Sequence, residues 1–291
     1  MYELVRVTEN VLFMDCPARV GVLRLPDGEA AAIDGGSDDT AAKKLLRGLE
    51  AEGLALTRVY ITHAHADHVG GNALLQARTG CRIFANGAER SIAAHTILEP
   101  LDVYGANPPE ELKGKFYMAK PSRVEELSPE DLPAGVEMIP LPGHSVDMVG
   151  FRAEDVVFLA DALAARETIR KYGIPFLWDV AAYLDTLRRI GEMEAQLFIP
   201  AHAEPTRDIR ELARFNIDVT NETADRIESF CGEGTTFDML LRKVFRAYGL
   251  QMSLGQHTLV GSTVRGYLTY LENSGRVRHE CTDEMLFWRK R

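Results

Sequence analysis

Features that mark membrane-spanning, exported and disulfide-stabilised proteins are missing from this sequence. No apolar run in its 291 residues reaches the roughly 18 residues that a membrane-spanning helix needs. The opening segment, MYELVRVTENVLFMDC, has neither the basic start nor the apolar block of a signal peptide, so we expect a cytoplasmic protein. Cysteine is scarce, and Cys16, Cys81, Cys231 and Cys281 form no C-x-x-C pair, so we expect free thiols.

Positive charge is also in short supply. The chain has 33 Lys and Arg against 43 Asp and Glu, a formal net charge of −10. A surface with that balance repels phosphate backbones, which argues against a protein built as a whole to bind nucleic acid. Hydrophobic residues make up 46% of the chain and charged residues 26%, as in ordinary folded proteins. The length allows a sizeable core in one or two domains.

The first two thirds of the chain read as an α/β fold. Short Val- and Leu-rich strand patterns, such as residues 58–62, alternate with helical patterns, such as residues 38–54. Residues 99–135 break this alternation, because prolines and acids interrupt every periodic pattern there. We expect this segment to leave the core, either as a lid or as a solvated loop.

The remainder of the chain has a different pattern. Helical patterns over residues 206–230, 235–248 and 258–272 precede two short strand patterns that predict a hairpin. Three helices that end in a hairpin are the plan of a winged helix. We therefore expect an α/β domain over residues 1–210 and a small winged-helix-like domain over residues 211–291.

The strongest chemical signal is the segment Thr62-His63-Ala64-His65-Ala66-Asp67-His68. Four metal-competent side chains, His63, His65, Asp67 and His68, fall within six residues directly after an apolar strand pattern. A chain that turns off a strand end can direct successive side chains around a point. His63 and His65 could then reach one ion, while Asp67 and His68 reach a second. Imidazole and carboxylate suit Zn²⁺ and similar divalent ions.

Three further donors follow strand patterns later in the chain. His144 lies in Pro-Gly-His-Ser after the strand that ends at Leu141, Asp161 follows Val-Val-Phe-Leu-Ala, and His202 follows Leu-Phe-Ile-Pro-Ala. Any one of them alone fits a surface or capping residue better than a ligand. Together with the first cluster, they indicate a metal site.

In this order, H-x-H-x-D-H followed by His, Asp and His, the sequence resembles the metallo-β-lactamase superfamily of metal-dependent hydrolases over about residues 1–205. The resemblance implies that the α/β domain is a four-layer αββα sandwich with a dinuclear site at one edge of its two sheets. It implies one ion on His63, His65 and His144, a second on Asp67, His68 and His202, and Asp161 as the bridge. Asp34 matches an aspartate that orients a ligand from beneath the site, although a turn residue in Asp-Gly-Gly fits equally well.

The resemblance also implies an activity. We expect hydrolysis of an ester, thioester, lactone or phosphodiester by a hydroxide bound to two divalent ions, first Zn²⁺, with Fe or Mn as alternatives. Asp67 would be a ligand and also the catalytic proton acceptor. Asp161 stands where the common zinc β-lactamases have Cys, so the set resembles glyoxalase II, lactonases and phosphodiesterases. The end of the chain lacks the helical thioester-binding domain of glyoxalase II, which argues against a glutathione thioester.

Other functions remain open from the sequence. The winged-helix-like end resembles superfamily members that act on RNA, although residues 213–291 hold 11 Lys or Arg against 10 Asp or Glu, and the third helix offers only Arg265. A mononuclear iron dioxygenase presents a similar ligand set. The end of the chain could instead cover the catalytic edge, or form a homodimer through exposed Phe237, Leu241 and Phe245. We expect a small-molecule substrate and no membrane partner, and no substrate-binding residue is predicted.

Overall fold

The computed structural model describes residues 2–291, which fall into two compact units. The first unit comprises the chain up to Leu141, Val146–Asp161 and Glu194–Asp208. The second comprises Pro142–Ser145, Ala162–Met193 and Ile209–Arg291. The second unit therefore contains two segments from the middle of the chain as well as its C-terminal part.

Two β-sheets form the centre of the first unit. The larger sheet has seven strands in sequence order, antiparallel from the first to the fourth and parallel from the fourth to the seventh: β1 (Glu3–Arg6), β2 (Val11–Asp15), β3 (Val20–Arg24), β4 (Glu29–Ile33), β5 (Ala55–Tyr60), β6 (Arg82–Ala85) and β7 (Glu125–Glu126). The smaller sheet has the order β11-β10-β9-β8, with strands β8 (Val136–Pro140), β9 (Val149–Ala153), β10 (Val156–Ala160) and β11 (Leu197–Pro200). Within it, β10 and β11 are parallel.

Five α-helices complete the first unit: α1 (Asp39–Ala51), α2 (Ala66–Val69), α3 (Asn72–Thr79), α4 (Gly87–Ala94) and α5 (Leu98–Tyr104). Asp38 caps α1 by accepting hydrogen bonds from the backbone N–H groups of Thr40 and Ala41, as expected of an aspartate at that position. Short 3₁₀ turns cover Pro26–Gly28, Glu110–Lys113 and Pro129–Asp131.

Strands β2, β3 and β4 of the larger sheet are buried on both faces, which explains why they read as nearly continuous apolar runs. Alternate residues of a strand point to opposite faces. Leu12 and Val22 therefore join the apolar cluster that includes Leu45 of α1. Phe13 and Ile33 join the cluster that includes Phe151 of the smaller sheet. The first unit is thus layered as helices, large sheet and small sheet.

The segment 99–135 packs on the core to a greater extent than the sequence indicates. Leu112, Ala119 and Leu127 are buried, and the last two belong to the two apolar clusters of the first unit. Strand β7 also extends the edge of the larger sheet. The expectation that this segment leaves the core is therefore wrong for these residues, because single apolar side chains spaced among prolines show no periodicity. Phe116, which is 81% exposed, does project from it.

The second unit is mostly helical. Its elements are α6 (Arg166–Tyr172), α7 (Val180–Glu192), α8 (Arg210–Cys231), α9 (Phe237–Ala247), α10 (Leu254–Asn273) and the antiparallel hairpin of β12 (Val277–Thr282) and β13 (Met285–Lys290). The last three helices and the hairpin follow one another in the order that the sequence predicts. Leu241 and Phe245 are buried and Phe237 is half-buried, so the expectation that these three side chains are exposed for dimerisation is wrong.

Two further expectations concern thiols and membranes. Cys16, Cys81, Cys231 and Cys281 are all free, as expected, and only the last of them is exposed. Across residues 2–291, none of the helices combines the length and the apolar character that crossing a bilayer requires.

Candidate metal centre

Two pairs of parallel strands deliver residues of the predicted site. Asp34 directly follows β4, and His63 follows its neighbour β5 after two residues. In the smaller sheet, Asp161 directly follows β10, and His202 follows its neighbour β11 after one residue. Parallel neighbours end at the same edge of a sheet, so each pair brings two predicted residues together at its carboxyl ends.

Asp161 is placed by an irregular strand end. The register between β10 and β11 shifts between Phe158 and Ala160, and Ala160 adopts a positive φ of 48°. Ala160 also accepts a backbone hydrogen bond from Ala201, next to His202. A bulge of this kind redirects the following side chain, and bulges are common beside functional sites.

The motif turns through a loop into a short helix. His65 precedes α2, and its carbonyl oxygen accepts hydrogen bonds from the backbone N–H groups of His68 and Val69 at 2.9 and 3.1 Å. This turn gathers the imidazoles: the ring centroid of His63 lies 4.5 Å from that of His65 and 4.1 Å from that of His68. His63 and His68 are completely buried.

The chain can leave the motif only through glycine. A Cβ atom on Gly71 would lie 2.2 Å from the carbonyl oxygen of Gly35, and one on Gly70 would lie 2.3 Å from that of Ser37. Both distances are far below any van der Waals contact. The close approach holds the chain after the motif against the turn that carries Asp34.

Asp34 is buried beneath the motif and holds two of its histidines. Its Oδ2 lies 2.8 Å from Nδ1 of His68, and because a carboxylate only accepts, Nδ1 of His68 carries the proton. The hydroxyl of Thr62 donates to the same oxygen at 2.8 Å and lies 3.1 Å from Nδ1 of His63, so that it accepts from this imidazole. Asp34 therefore turns Nε2 of His68 directly, and Nε2 of His63 through Thr62, away from itself.

His202 is held in the same manner by a backbone carbonyl. Its Nδ1 donates to the carbonyl oxygen of Pro17 at 2.8 Å. Its Nε2 then lies 3.1 Å from Oδ2 of Asp67 and 3.3 Å from Oδ2 of Asp161. Arg19 supports this loop, because its backbone N–H donates to Ala201 and its guanidinium donates to the carbonyl of Ala203.

Within the first unit, the structure forms two groups of three ligand atoms, each within 4.8 Å of one another. One group is His63, His68 and Asp161, and the other is Asp67, His68 and His202. His144 lies in the second unit, where its Nδ1 donates to the carbonyl oxygen of Phe176 at 3.0 Å. Nδ1 of His63, His68, His144 and His202 thus each contacts an oxygen atom, and in His68 and His202 the Nε2 atoms face the carboxylates of Asp67 and Asp161. An imidazole held at one nitrogen, with the other left to bind, is typical of metal-binding histidines.

In the cluster, the pKa values of Asp67 and Asp161 are lowered and those of His68 and His202 are raised. Burial disfavours a charge on Asp67 and Asp161, but the nearby His68 and His202 lower the pKa of both carboxyls. Asp161 raises the pKa of His202 to about 10. Burial opposes a charge on His68 as well, yet Asp161, Asp67 and Asp34 raise its pKa well above the ordinary value. Burial lowers the pKa of His65.

Asp67 and Asp161 lie within 3.3 Å of imidazole nitrogens, so positive charge close by would stabilise both carboxylates. Protons on the imidazoles can supply it, and so can a divalent cation, which takes the place of those protons. Imidazole nitrogen and carboxylate oxygen are the donors that Zn²⁺ accepts most readily among hard and borderline ligands. The donor set therefore fits a divalent metal.

Two glutamates that sequence reasoning missed, buried Glu89 and half-buried Glu99, also contact the motif. Oε2 of Glu89 accepts from the backbone N–H of Ala64 at 2.8 Å, and Oε1 of Glu99 accepts from that of Ala66 at 3.1 Å. Burial raises the pKa of Glu99 well above its ordinary value. Neither residue stands out in the sequence, because an acid in a short polar helix reads as a surface residue.

Sequence comparison decides the family. The sequence model described as the metallo-beta-lactamase superfamily matches residues 14–202. The chain belongs to the metallo-β-lactamase superfamily. The prediction of this family from the H-x-H-x-D-H motif and the three later donors is therefore confirmed.

Curated relatives of this superfamily member include two bacterial proteins named hydroxyacylglutathione hydrolase. That of Bradyrhizobium sp. (strain ORS 278) is 30% identical over 164 residues, 55% of this chain and 54% of the relative. That of Shewanella loihica is 28% identical over 166 residues, 57% of this chain and 55% of the relative. The chain thus spans about half the length of the curated relatives it matches.

Solved structures of the superfamily share the fold. A beta-lactamase domain protein from Burkholderia ambifaria superposes with a TM-score of 0.77 at 19% identity, covering 99% of this chain and 94% of that one. A metallo-beta-lactamase family protein from Thermus thermophilus gives a TM-score of 0.69 at 18% identity, covering 99% and 97%. The predicted α/β fold of the metallo-β-lactamase type is confirmed.

Proposed function

We propose that this protein is a metal-dependent hydrolase that cleaves an acyl ester or thioester bond. One observation carries the proposal: imidazoles tethered at Nδ1 present Nε2 to two carboxylates, Asp67 and Asp161, that are held as anions. A cluster that only stabilised the fold would not need this arrangement, because rings and acids can form hydrogen bonds with each other through either ring nitrogen. A cation site requires it.

The proposed ligands follow the superfamily pattern. His63, His65 and His144 would hold one ion, Asp67, His68 and His202 would hold the other, and Asp161 would serve both. We propose Zn²⁺ at both positions, with Fe and Mn as the alternatives that metal analysis would reveal. When bound there, divalent ions acidify water and polarise the oxygen of a carbonyl or phosphoryl group.

Asp67 and Asp161 differ in exposure, which separates their proposed roles. The side chain of Asp67 is 47% exposed, whereas that of Asp161 is 13% exposed. Asp161 is therefore suited to a fixed bridging position. Asp67 can exchange a proton with substrate or solvent, so we propose that it is the catalytic proton acceptor as well as a ligand.

The proposed substrate class rests on the relatives. The two curated proteins reported above are named hydroxyacylglutathione hydrolase, which supports an acyl thioester substrate despite the expectation from the C-terminal sequence. The shared region is about half of each chain, so the acyl group and the thiol are open. Lactones and phosphodiesters remain the comparison substrates.

The charges of the second unit favour a small molecule over RNA. Arg276 pairs with Asp225 and Glu228, and Lys290 pairs with Glu228 at 2.8 Å. Arg289 pairs with Glu280. On α10, the guanidinium of Arg265 packs 4.1 Å over the ring of Phe237. Cations that are occupied in this way offer little to a phosphate backbone.

A substrate panel tests the proposal. We expect the Zn²⁺-loaded protein to hydrolyse a hydroxyacylglutathione thioester or an aryl acyl ester faster than a lactone or a phosphodiester. We expect no oxygen consumption with Fe²⁺ and no salt-sensitive gel shift with single-stranded RNA. Turnover of a phosphodiester alone would replace this proposal with a phosphodiesterase of the kind that acts on RNA. Steady oxygen uptake would replace it with an iron dioxygenase.

A further inference from the structure

Two glutamate side chains, buried Glu89 and half-buried Glu99, hold the backbone of the metal motif at its spacer residues. Ala64 lies between His63 and His65, and Ala66 lies between His65 and Asp67. The backbone N–H of each alanine points at a glutamate: Ala64 donates to Glu89 of α4 at 2.8 Å, and Ala66 donates to Glu99 of α5 at 3.1 Å. Neither glutamate belongs to the proposed ligand set.

The motif needs such support because of where it lies. Residues 61–65 are in neither helix nor strand, so no regular ladder of hydrogen bonds holds the amides there. The N–H of Ala64 lies in the peptide plane shared with His63, and that of Ala66 in the plane shared with His65, so holding each N–H constrains ψ of the preceding histidine.

The two glutamates differ in how many hydrogen bonds they accept from backbone amides. Glu89 uses both oxygens, because Oε1 also accepts from the backbone N–H of Asp147 at 3.2 Å. Asp147 in turn accepts from the N–H of Ala88 at the start of α4. Glu89 thus connects Ala64 of the motif to Asp147, which lies three residues after His144 in the sequence. Glu99 uses one oxygen, and its Oε2 is buried with no hydrogen-bond partner among residues 2–291.

We propose that Glu89 and Glu99 are positioning residues, which aim the motif ligands at the metal site by holding the amides of Ala64 and Ala66. The inference rests on the proposed function, because it presupposes that the site binds metal. It also predicts that the two glutamates respond differently to an amide. Gln offers one acceptor oxygen and one NH₂ donor, so it can replace Glu99 but cannot accept from both partners of Glu89.

The experiment compares Zn²⁺ affinity, by competition with a chromophoric chelator, and the visible spectrum of Co²⁺-loaded protein. The variants are Glu89→Gln, Glu99→Ala and Glu99→Gln. Glu126→Gln is the matched control, because Glu126 accepts from the backbone N–H of Gly87 in α4 at 2.9 Å and is exposed. Circular dichroism confirms that each variant is folded.

We expect Glu89→Gln and Glu99→Ala to lower Zn²⁺ affinity by about 10-fold or more, as partners of metal ligands do, and to shift the Co²⁺ bands. Glu99→Gln should recover most of the affinity lost in Glu99→Ala, and Glu126→Gln should match the wild type. If Glu89→Gln does not fold, the two Glu99 variants decide. Wild-type protein that binds no metal overturns the proposed function. Metal-binding wild type with unchanged affinity and spectrum in Glu89→Gln and Glu99→Ala overturns this inference alone.

Discussion

Nδ1 of His68 lies 2.8 Å from Oδ2 of Asp34, and both side chains are buried. This contact decides which nitrogen of the imidazole faces Asp161, whose Oδ1 lies 3.1 Å from Nε2. Asp34 reaches a second histidine, His63, through the hydroxyl of Thr62. One buried carboxylate therefore sets the orientation of two proposed ligands, although Asp34 and Thr62 are 28 residues apart in sequence.

Replacing Asp34 with Asn should lower Zn²⁺ affinity by about 10- to 100-fold. Oδ1 of Asp34 accepts from the Thr62 N–H, and Oδ2 accepts from the Thr62 hydroxyl and Nδ1 of His68. Asn has only one acceptor oxygen and places an NH₂ group at the other position, so at least one of these contacts is lost and the support of the imidazoles is weakened. The backbone itself should be unaffected, because Asn tolerates the φ of 66° at this position. Competition with a chelator measures the loss.

Asp27→Asn is the matched control for this prediction. Asp27 also has a positive φ, 59°, but it is exposed in a turn. It should bind Zn²⁺ as the wild type does. Wild-type affinity in Asp34→Asn would show that Asp34 is a turn residue and not a support of the site.

Phe151→Ala should destabilise the protein by about 3–5 kcal/mol. Its ring is fully buried between the sheets and lies 5.9 Å from that of Tyr60, so its removal leaves a cavity. Urea denaturation at fixed metal concentration measures the change in free energy of unfolding. Phe116→Ala, at a ring that is 81% exposed, should stay within about 0.5 kcal/mol. Equal effects of the two substitutions would contradict the core described above.

Glu228→Gln should destabilise the protein by about 1 kcal/mol near neutral pH, and by less in acid. The Lys290 ammonium holds the pKa of Glu228 below its ordinary value of 4.5, against burial and together with Arg276. A carboxyl with a lowered folded-state pKa stabilises fully above its unfolded pKa, and loses that contribution as the pH falls through the folded value. The difference between wild type and variant should therefore shrink below about pH 4.5.

Urea titrations at several pH values check this prediction. Glu222→Gln is the control on the same helix, because Glu222 is 68% exposed and pairs with Arg226 at i,i+4. Its effect should be at most about 0.5 kcal/mol at any pH. A Glu228→Gln difference that is as large at pH 3 as at pH 7 would rule out an ionic contribution.

The proposed metal-binding motif could be recognised in the sequence because its residues are close together along the chain. His63, His65, Asp67 and His68 share one turn of chain, and the three later donors each follow a strand whose apolar pattern marks its end. The tethers of the ligands were less visible. His202 contacts the backbone carbonyl of Pro17, and Glu89 and Glu99 accept from backbone N–H groups. Backbone groups are common to nearly all residue types, so these contacts cannot be predicted from residue identity.

The organisation of the chain was harder to predict for a related reason. Periodicity identified helices and strands one at a time, whereas the second compact unit collects Ala162–Met193 from the middle of the chain with the C-terminal helices. Asn216 of α8 illustrates this, since its side chain both donates to and accepts from the backbone of Ala164. Contacts between such distant segments leave no periodic signal.

The metal content of the purified protein, measured together with its turnover, tests the central claim most directly. We predict two divalent ions per wild-type chain, and loss of metal together with more than about 100-fold loss of ester or thioester hydrolysis in Asp161→Ala. Asp155 directly precedes β10, the strand that Asp161 follows, and its side chain is 63% exposed. Asp155→Ala should therefore keep both the metal content and the turnover of the wild type. Full turnover by wild-type protein stripped of metal, or by Asp161→Ala without bound metal, would contradict the account.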